Sequence, residues 1–391
     1  MKKFLLLTIA AMLYTIGCDA QLKTERIIVK TDDIQKPERL PLVEDRPIKN
    51  VIFIIADGTG ISQLYTSQLA QAGKDGLLHL QTMPVTGFSK TYSKDNLITD
   101  SAAGATAFSC GLKTDNGMIA HLPDGKSCKT ILELAEDKGM STGVVATSTI
   151  THATPASYAS HVDSRSKQDE IAAQYLDAGM EVILGGGLEY FVPQSESFSK
   201  RKDDRNLVAE FETRGYDFVD NLADLNTSES DQILGLFYDS GMDSEDRTPT
   251  LQEMTDKAIT VLSTNDDGFF LMVEGSQIDW AGHANDVQYE LREMADFDAA
   301  VKTVLDFAVQ DGETLVVLTA DHETGGMTIQ DSDKFSDLTV AWTTGHHTGI
   351  PVPVMAYGPH AIEFTGWWEN TEIGLKVAEI SGIGTLPIII E

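Results

Sequence analysis

The sequence predicts an α/β fold: a single domain with a large, mostly parallel central sheet flanked by helices on both faces. Three observations carry that expectation. Short, continuous apolar runs recur along the chain, as expected of strands buried on both faces. Segments of helical periodicity lie between them, and that alternation is the signature of parallel strands joined by helices. The apolar runs end in acidic or polar residues and glycine, at the carboxyl ends where such folds build their sites.

The elements follow in order. Residues 1–18 have a basic start, "MKK", then an apolar stretch, "FLLLTIAAMLYTIG", then Cys18. This is the pattern of a secretory signal peptide. Cys18 after Gly17 fits a lipid attachment site, with ordinary cleavage nearby as the other reading. The expected location is therefore exported, either periplasmic or membrane-tethered through Cys18. Residues 19–48, with Pro37, Pro41 and Pro47, form a polar tether or arm, and 49–391 form the main domain. "VIFIIA" (51–56) is the first buried strand and runs into Asp57-Gly58. "CKTILELAEDKG" (128–139) is an amphipathic helix that stops at Gly139. "GVVATST" (143–149) leads to His152, and "VILGGG" (182–187) ends in glycines. Residues 194–249 are more polar and form a surface excursion of the same domain. "TLQEMTDKAITVLS" (250–263) and "LREMADFDAAVKTVLDFA" (291–308) are helices around the strand "GFFLMVEG" (268–275), which ends at Glu274. "TLVVLTADHE" (314–323) ends at Asp321-His322, and "PVPVMAYGP" (351–359) is a further strand.

The formal net charge is −31, and removing residues 1–17 takes away two lysines and no acid, leaving −33. Such a chain is not expected to have a nucleic-acid partner. No stretch after the first 20 residues is apolar and long enough to span a membrane, so membrane contact is expected only through an N-terminal lipid. An anionic substrate would require the local field at the site to oppose the global one, through metal cations or a placed arginine. Besides Cys18, Cys110 and Cys128 remain. They form one disulfide in an oxidising compartment or stay as two buried thiols.

Acid and histidine residues gather at the strand ends: Asp57, Glu274, Asp279 with His283 at i, i+4, Asp321 with His322, and His347 in "GHHTG". Singly, each reads as a helix cap or a satisfied core residue. Together, carboxylate and imidazole suit zinc in an open catalytic site, and carboxylates with a hydroxyl suit magnesium. Two cations about 4 Å apart can serve phosphoryl displacement. "TDSAAGATAFSCG" (99–111) puts Ser101 at the start of a helix of small residues, where unpaired N–H groups welcome a phosphate. Thr99 and Ala103 stand where a Gly-x-Ser-x-Gly elbow needs glycine, so a Ser-His-Asp hydrolase is disfavoured. Arg165 closes "THATPASYASHVDSR" and can grip two phosphate oxygens.

Seven blocks in order resemble the alkaline phosphatase family: "FIIADGTG" (53–60), "TDSAAGATAFSCGLKT" (99–114), "ATPASYASHVDSR" (153–165), "VILGGG" (182–187), "FFLMVEGSQIDWAGHAND" (269–286), "LTADHETGG" (318–326) and "HTGIPVPVMAYGP" (347–359). The resemblance implies a metal-dependent phosphate-monoester hydrolase with two zinc ions and one magnesium ion per chain, acting as a homodimer on small-molecule phosphate monoesters. It implies that Ser101 is the phosphorylated nucleophile and that Arg165, oriented by Asp100, clamps phosphate. Asp279, His283 and His347 would hold the first zinc. Asp57, Asp321 and His322 would hold the second. Asp57, Thr154 and Glu274 would hold magnesium. Two in-line displacements, net retention at phosphorus and an alkaline pH preference follow from that resemblance. His152 and Trp280 occupy positions that vary in the family and touch phosphate or the magnesium shell through water. Histidine is less suited than aspartate to hydrated magnesium, and Trp280 lacks the charge a lysine would bring. The family's crown-like insertion is short here, with about twenty residues between Gly325 and His346. The alternatives are a phosphodiesterase of the same superfamily, against which Ser101 with Arg165 speaks, and a non-catalytic phosphate- or metal-binding lipoprotein, against which the complete ligand set speaks.

Overall fold

In the computed structural model, residues 22–331 and 336–390 are described; the leader and Cys18 lie outside them. Ten strands make the central sheet: β1 (Asn50–Ala56), β2 (Val85–Lys90), β3 (Ser141–Thr149), β4 (Val182–Gly186), β5 (Asp217–Val219), β6 (Ile233–Leu236), β7 (Phe269–Gly275), β8 (Thr314–Thr319), β9 (Val352–Tyr357) and β10 (Gly366–Glu369). Their spatial order is β10-β2-β9-β8-β1-β7-β3-β4-β6-β5. Every strand runs the same way except β9, which is antiparallel to both β8 and β2.

The apolar runs become central strands because both of their faces are covered. In β1, Val51, Phe53 and Ile55 enter one core, while Ile52, Ile54 and Ala56 enter the core on the opposite face. β7 divides likewise, with Phe270 and Met272 on one side and Phe269, Leu271 and Val273 on the other. That period of two within a continuous apolar run is what a sheet sandwiched between helix layers requires. The helices begin at sequence-encoded caps. Thr130 and Thr250 each pair with a glutamate three residues on, Glu133 and Glu253, in reciprocal capping boxes. The long Val287–Asp311 helix starts at Asp286 and stops at Gly312, whose φ of 77° ends it.

Two regions differ from their compositional reading. Within the polar arm, Lys23–Ile28 is a strand paired with Asp337–Trp342, which in turn pairs with Met327–Gln330. The arm thus closes a small three-stranded sheet over the short 325–346 segment. Within the excursion at 194–249, Asp217–Val219 and Ile233–Leu236 are β5 and β6, the edge of the main sheet. Neither is long enough to announce itself by periodicity. Cys110 and Cys128, left between two readings by sequence, are bonded to each other, with Cα atoms 5.9 Å apart. Among the described residues, no helix is long and apolar enough to cross a membrane.

Candidate active site

The sheet delivers the polar residues to one edge. Asp57 follows β1, Glu274 is the penultimate residue of β7, His152 and Thr154 follow β3, and Asp321 and His322 follow β8. His347 precedes β9, and because that strand alone is antiparallel its start lies at the same edge. Gly58 makes the turn after β1 with φ 74°, and a Cβ there would sit 2.7 Å from the Cα of Asp279. Only glycine lets the β1 loop and the Gln277–Ala284 helix come that close.

Ser101 opens the Ser101–Cys110 helix, and Asp100 is its cap, accepting from the N–H of Ala103 at 3.0 Å. The small residues serve approach: at Gly104 a Cβ would lie 3.0 Å from the Cβ of Asp321. The Ser101 hydroxyl thereby comes within 3.4 Å of His322 Nε2. The second carboxylate oxygen of Asp100 takes Arg165 NH1 at 3.0 Å, and Arg165 NH2 donates to His152 Nε2 at 3.1 Å. Burial, then the Arg165 charge, push the His152 imidazole down to about 3. His152 is therefore neutral, and with Nε2 accepting from Arg165 its proton sits on Nδ1.

The outer part of the site is histidine-rich. His283 Nδ1 donates to the carbonyl of Gly345 at 2.8 Å, and His347 Nδ1 donates to that of Thr99 at 2.8 Å. Both bonds aim Nε2 into the site, the arrangement by which histidine ligands are oriented. The two Nε2 atoms lie 3.1 Å apart, and Asp279 is 3.4 Å from His283 and 3.5 Å from His347. The inner part is fully buried. His322 Nε2 lies 3.1 Å from Asp321 and 3.6 Å from Asp57, all three with no exposed side-chain surface.

Buried polar atoms are ordinarily hydrogen-bonded. Here both oxygens of Asp57, Asp321 Oδ2, Glu274 Oε1, Thr154 Oγ1 and His152 Nδ1 are buried without a hydrogen bond, the imidazole of His322 lying against Asp57 and Asp321. Burial and then the carboxylates of Asp321, Asp279 and Glu274 push Asp57 well above its usual range. Burial pushes Glu274 up to about 7 against the opposing bond from Ser276. Burial also raises Asp279, but the bond from His283 and the neighbouring imidazolium charges outweigh it, so its carboxyl falls below the usual range. His283 rises to about 9, chiefly through Asp279, whereas burial and the charge of His322 lower His347 to about 4. A set of converging carboxylates and imidazoles with orphaned donor atoms is chemically suited to divalent cations. Among the described residues, two triads have ligand atoms within 4.8 Å of one another: Asp279, His283 and His347, and Asp57, Asp279 and His322.

All the residues singled out from sequence therefore meet at one edge. The first triad brings together Asp279, His283 and His347. In the second, Asp279 completes the set, with Asp321 adjoining through His322. Sequence reasoning missed the supports. Thr324 donates its hydroxyl to Asp279 and lies 3.2 Å from His322 Nδ1. Ser276 donates to Glu274 Oε2 at 2.6 Å, and Asn116 accepts from the N–H of Asp100 at 3.1 Å. Thr324 and Ser276 each lie two residues beyond a site residue, a spacing that was readable; Asn116 left no local signal.

The family model for alkaline phosphatase matches residues 48–339. Alkaline phosphatase 3 of Bacillus subtilis (strain 168) is 40% identical, with 84% of this chain and 88% of that protein covered. The solved alkaline phosphatase of the Antarctic bacterium TAB5 is 38% identical with a TM-score of 0.80, covering 87% of this chain and 100% of that one. A variant of that enzyme, with one histidine replaced by glutamate, has Mg bound in its M3 site; it is 37% identical with a TM-score of 0.77, covering 87% and 99%.

Proposed function

The chain belongs to the alkaline phosphatase family and is a phosphate-monoester hydrolase, and from that premise we propose that it works through a phosphoserine on Ser101 in a site holding two zinc ions and one magnesium ion. The observation that carries this reading is the set of buried ligand atoms without a hydrogen bond on Asp57, Asp321, Glu274 and Thr154, with Asp57 and Asp321 against His322 and His322 Nε2 3.4 Å from the Ser101 hydroxyl. His283, His347 and Asp279 would hold one zinc. Asp57, Asp321 and His322 would hold the other, with Asp279 close by. Asp57, Glu274 and Thr154 would hold magnesium. When bound, the cations would neutralise the carboxylates, favour the ionised form of the serine and of an attacking water, and offset charge on the entering and leaving oxygens.

The chain's own groups do the rest. Arg165 spends one N–H of NH1 on Asp100 and one of NH2 on His152, which leaves one on each terminal nitrogen for two phosphate oxygens. The free N–H groups and positive end of the Ser101–Cys110 helix favour charge developing at Ser101. In-line attack by Ser101 expels the alcohol, and in-line attack by water then frees Ser101 and phosphate. Two inversions give net retention. With its proton on Nδ1, His152 offers that nitrogen no lone pair for a cation, so the magnesium position rests on the carboxylates and Thr154.

The reading extends to the chain as a whole. Export through residues 1–18, with Cys18 as a lipid site, rests on the charge and apolar pattern there. The 49–391 region is the catalytic domain, with Lys23–Ile28 of the arm as an accessory strand. Pairing of two chains is supported by the exposed Leu97, Ile98 and Ile350.

The experiment that tests the reading follows hydrolysis of p-nitrophenyl phosphate and its bis-ester from about pH 7 to 10, before and after chelation and after return of zinc and magnesium, with bound metal counted. The expected result is monoesterase activity that rises with pH, vanishes on chelation and returns with the metals. Monoesterase activity that survives complete chelation, or activity on the diester alone, would overturn it.

A further inference from the structure

We infer that Gly241 is a positioning residue for the phosphate clamp, because it leaves the space that Trp280 needs to hold His152, and through His152 the guanidinium of Arg165. The inference rests on the reading of Arg165 as the clamp.

Residues 237–242 follow β6 across the carboxyl edge of the sheet, and the segment is pinned along its length. Phe237 N–H bonds the carbonyl of Gly185 at 2.9 Å, and the N–H groups of Gly187 and Leu188 bond that of Tyr238 at 2.9 and 3.1 Å. Met242 N–H bonds Thr147 O at 3.1 Å, and the Gln277 side-chain amide donates to Met242 O at 2.6 Å. Beneath it, a Cβ on Gly186 would sit 2.1 Å from Ser240 O. The backbone at residue 241 therefore has no room to retreat.

A Cβ on Gly241 would lie 2.5 Å from Cη2 and 2.8 Å from Cζ3 of Trp280, inside any normal carbon–carbon contact. Gly241 is absent from the positive-φ residues, so its requirement is space and not backbone conformation. The indole is rigid, and its helix is anchored by Gln277, which also donates to Thr147 O at 2.7 Å. A methyl at 241 must therefore turn the ring. Trp280 meets the His152 ring edge-on, with centroids 6.1 Å apart at 81°. Among the described residues, His152 Nε2 is one of two side-chain acceptors that hold Arg165, the other being Asp100. Turning Trp280 frees His152 and loosens one of those two anchors.

The test uses the metal-loaded full chain and measures kcat, KM, the inhibition constant for inorganic phosphate, and Tm. The variants are Arg165→Ala, Gly241→Ala, Trp280→Ala, Trp280→Phe and Gly241→Ala with Trp280→Phe. Gly241→Ala is expected to raise KM and the phosphate inhibition constant about tenfold, with kcat within about threefold. A merely structural defect would lower the active fraction and kcat and leave phosphate affinity alone. Phenylalanine lacks the outer indole ring, so the double variant should return to within about twofold of Trp280→Phe. Trp280→Ala should weaken phosphate binding without any added methyl, which keeps the inference testable if Gly241→Ala fails to fold. Unchanged phosphate affinity in Gly241→Ala or Trp280→Ala, or no recovery in the double variant, would overturn it while Arg165→Ala still weakens phosphate. Unchanged affinity in Arg165→Ala would instead remove the clamp reading beneath it.

Discussion

Replacing Ser101 with alanine is expected to lower kcat for a phosphate monoester by about 1,000-fold or more, with Tm nearly unchanged. The two effects separate because the hydroxyl does little for the fold. Among the described residues its one hydrogen bond is the 3.4 Å contact with His322 Nε2. The helix is capped by Asp100, not by Ser101. Alanine is also the better helix former at the first helical position. Stability should therefore stay within about 1 kcal/mol. Arg165, the metal ligands and the helix N-terminus remain, so a residual rate above the uncatalysed reaction is expected. Kinetics and thermal melting on the same preparation check both halves, and a variant that retains kcat would show that Ser101 is not the nucleophile.

Asp57→Asn is expected to abolish most activity while making the metal-free protein more stable. Both Asp57 oxygens are buried without a hydrogen bond, and Asp321, Asp279 and Glu274 surround it. Without cations this carboxylate is a liability. Its pKa is raised in the fold, so the folded chain binds the proton more tightly than the unfolded one. Stability of the metal-free chain therefore falls as pH rises from about 4 through the raised value. Asparagine removes that term. The metal-free variant should melt about 2–4 °C above metal-free wild type at pH 8, with the gap closing towards pH 5. With metals present the order reverses, because the wild type gains their binding energy and the variant loses a charged ligand. Activity should fall about 1,000-fold, with less metal bound. A metal-free variant that melts below wild type at pH 8 would contradict this account of the buried carboxylates.

How far the sequence went depends on which physics each feature obeys. β1, β7 and β8 were legible because continuous apolar runs have few other destinations. β5 and β6 were not, since three- and four-residue strands at a sheet edge carry too little pattern and gain their shape from the neighbour they pair with. Lys23–Ile28, "KTERII", is a strand only because Asp337–Trp342 offers it a partner. The mostly parallel sheet was foreseen, but the reversal of β9 was not. That reversal is what brings His347 to the edge where Asp57 and His322 lie. The candidate site residues were legible as residue types at strand ends and as blocks resembling a family. Their supports were not, because Thr324, Asn116 and Gly241 act through contacts that only the fold creates. Gly241 shows this most clearly: a glycine in "YDSGMD" gives no hint that an indole far along the chain lies against it.

The central claim is a phosphoryl group on Ser101 during turnover. The direct measurement is an acid quench of wild-type enzyme during turnover of a phosphate monoester, reduction of the Cys110–Cys128 bond, tryptic digestion and mass spectrometry of the peptide spanning residues 95–113. The account predicts phosphate on Ser101 in that peptide, and none in Ser101→Ala treated alike. Turnover with no phosphopeptide across a range of quench times and pH, or phosphate carried on another residue, would contradict it.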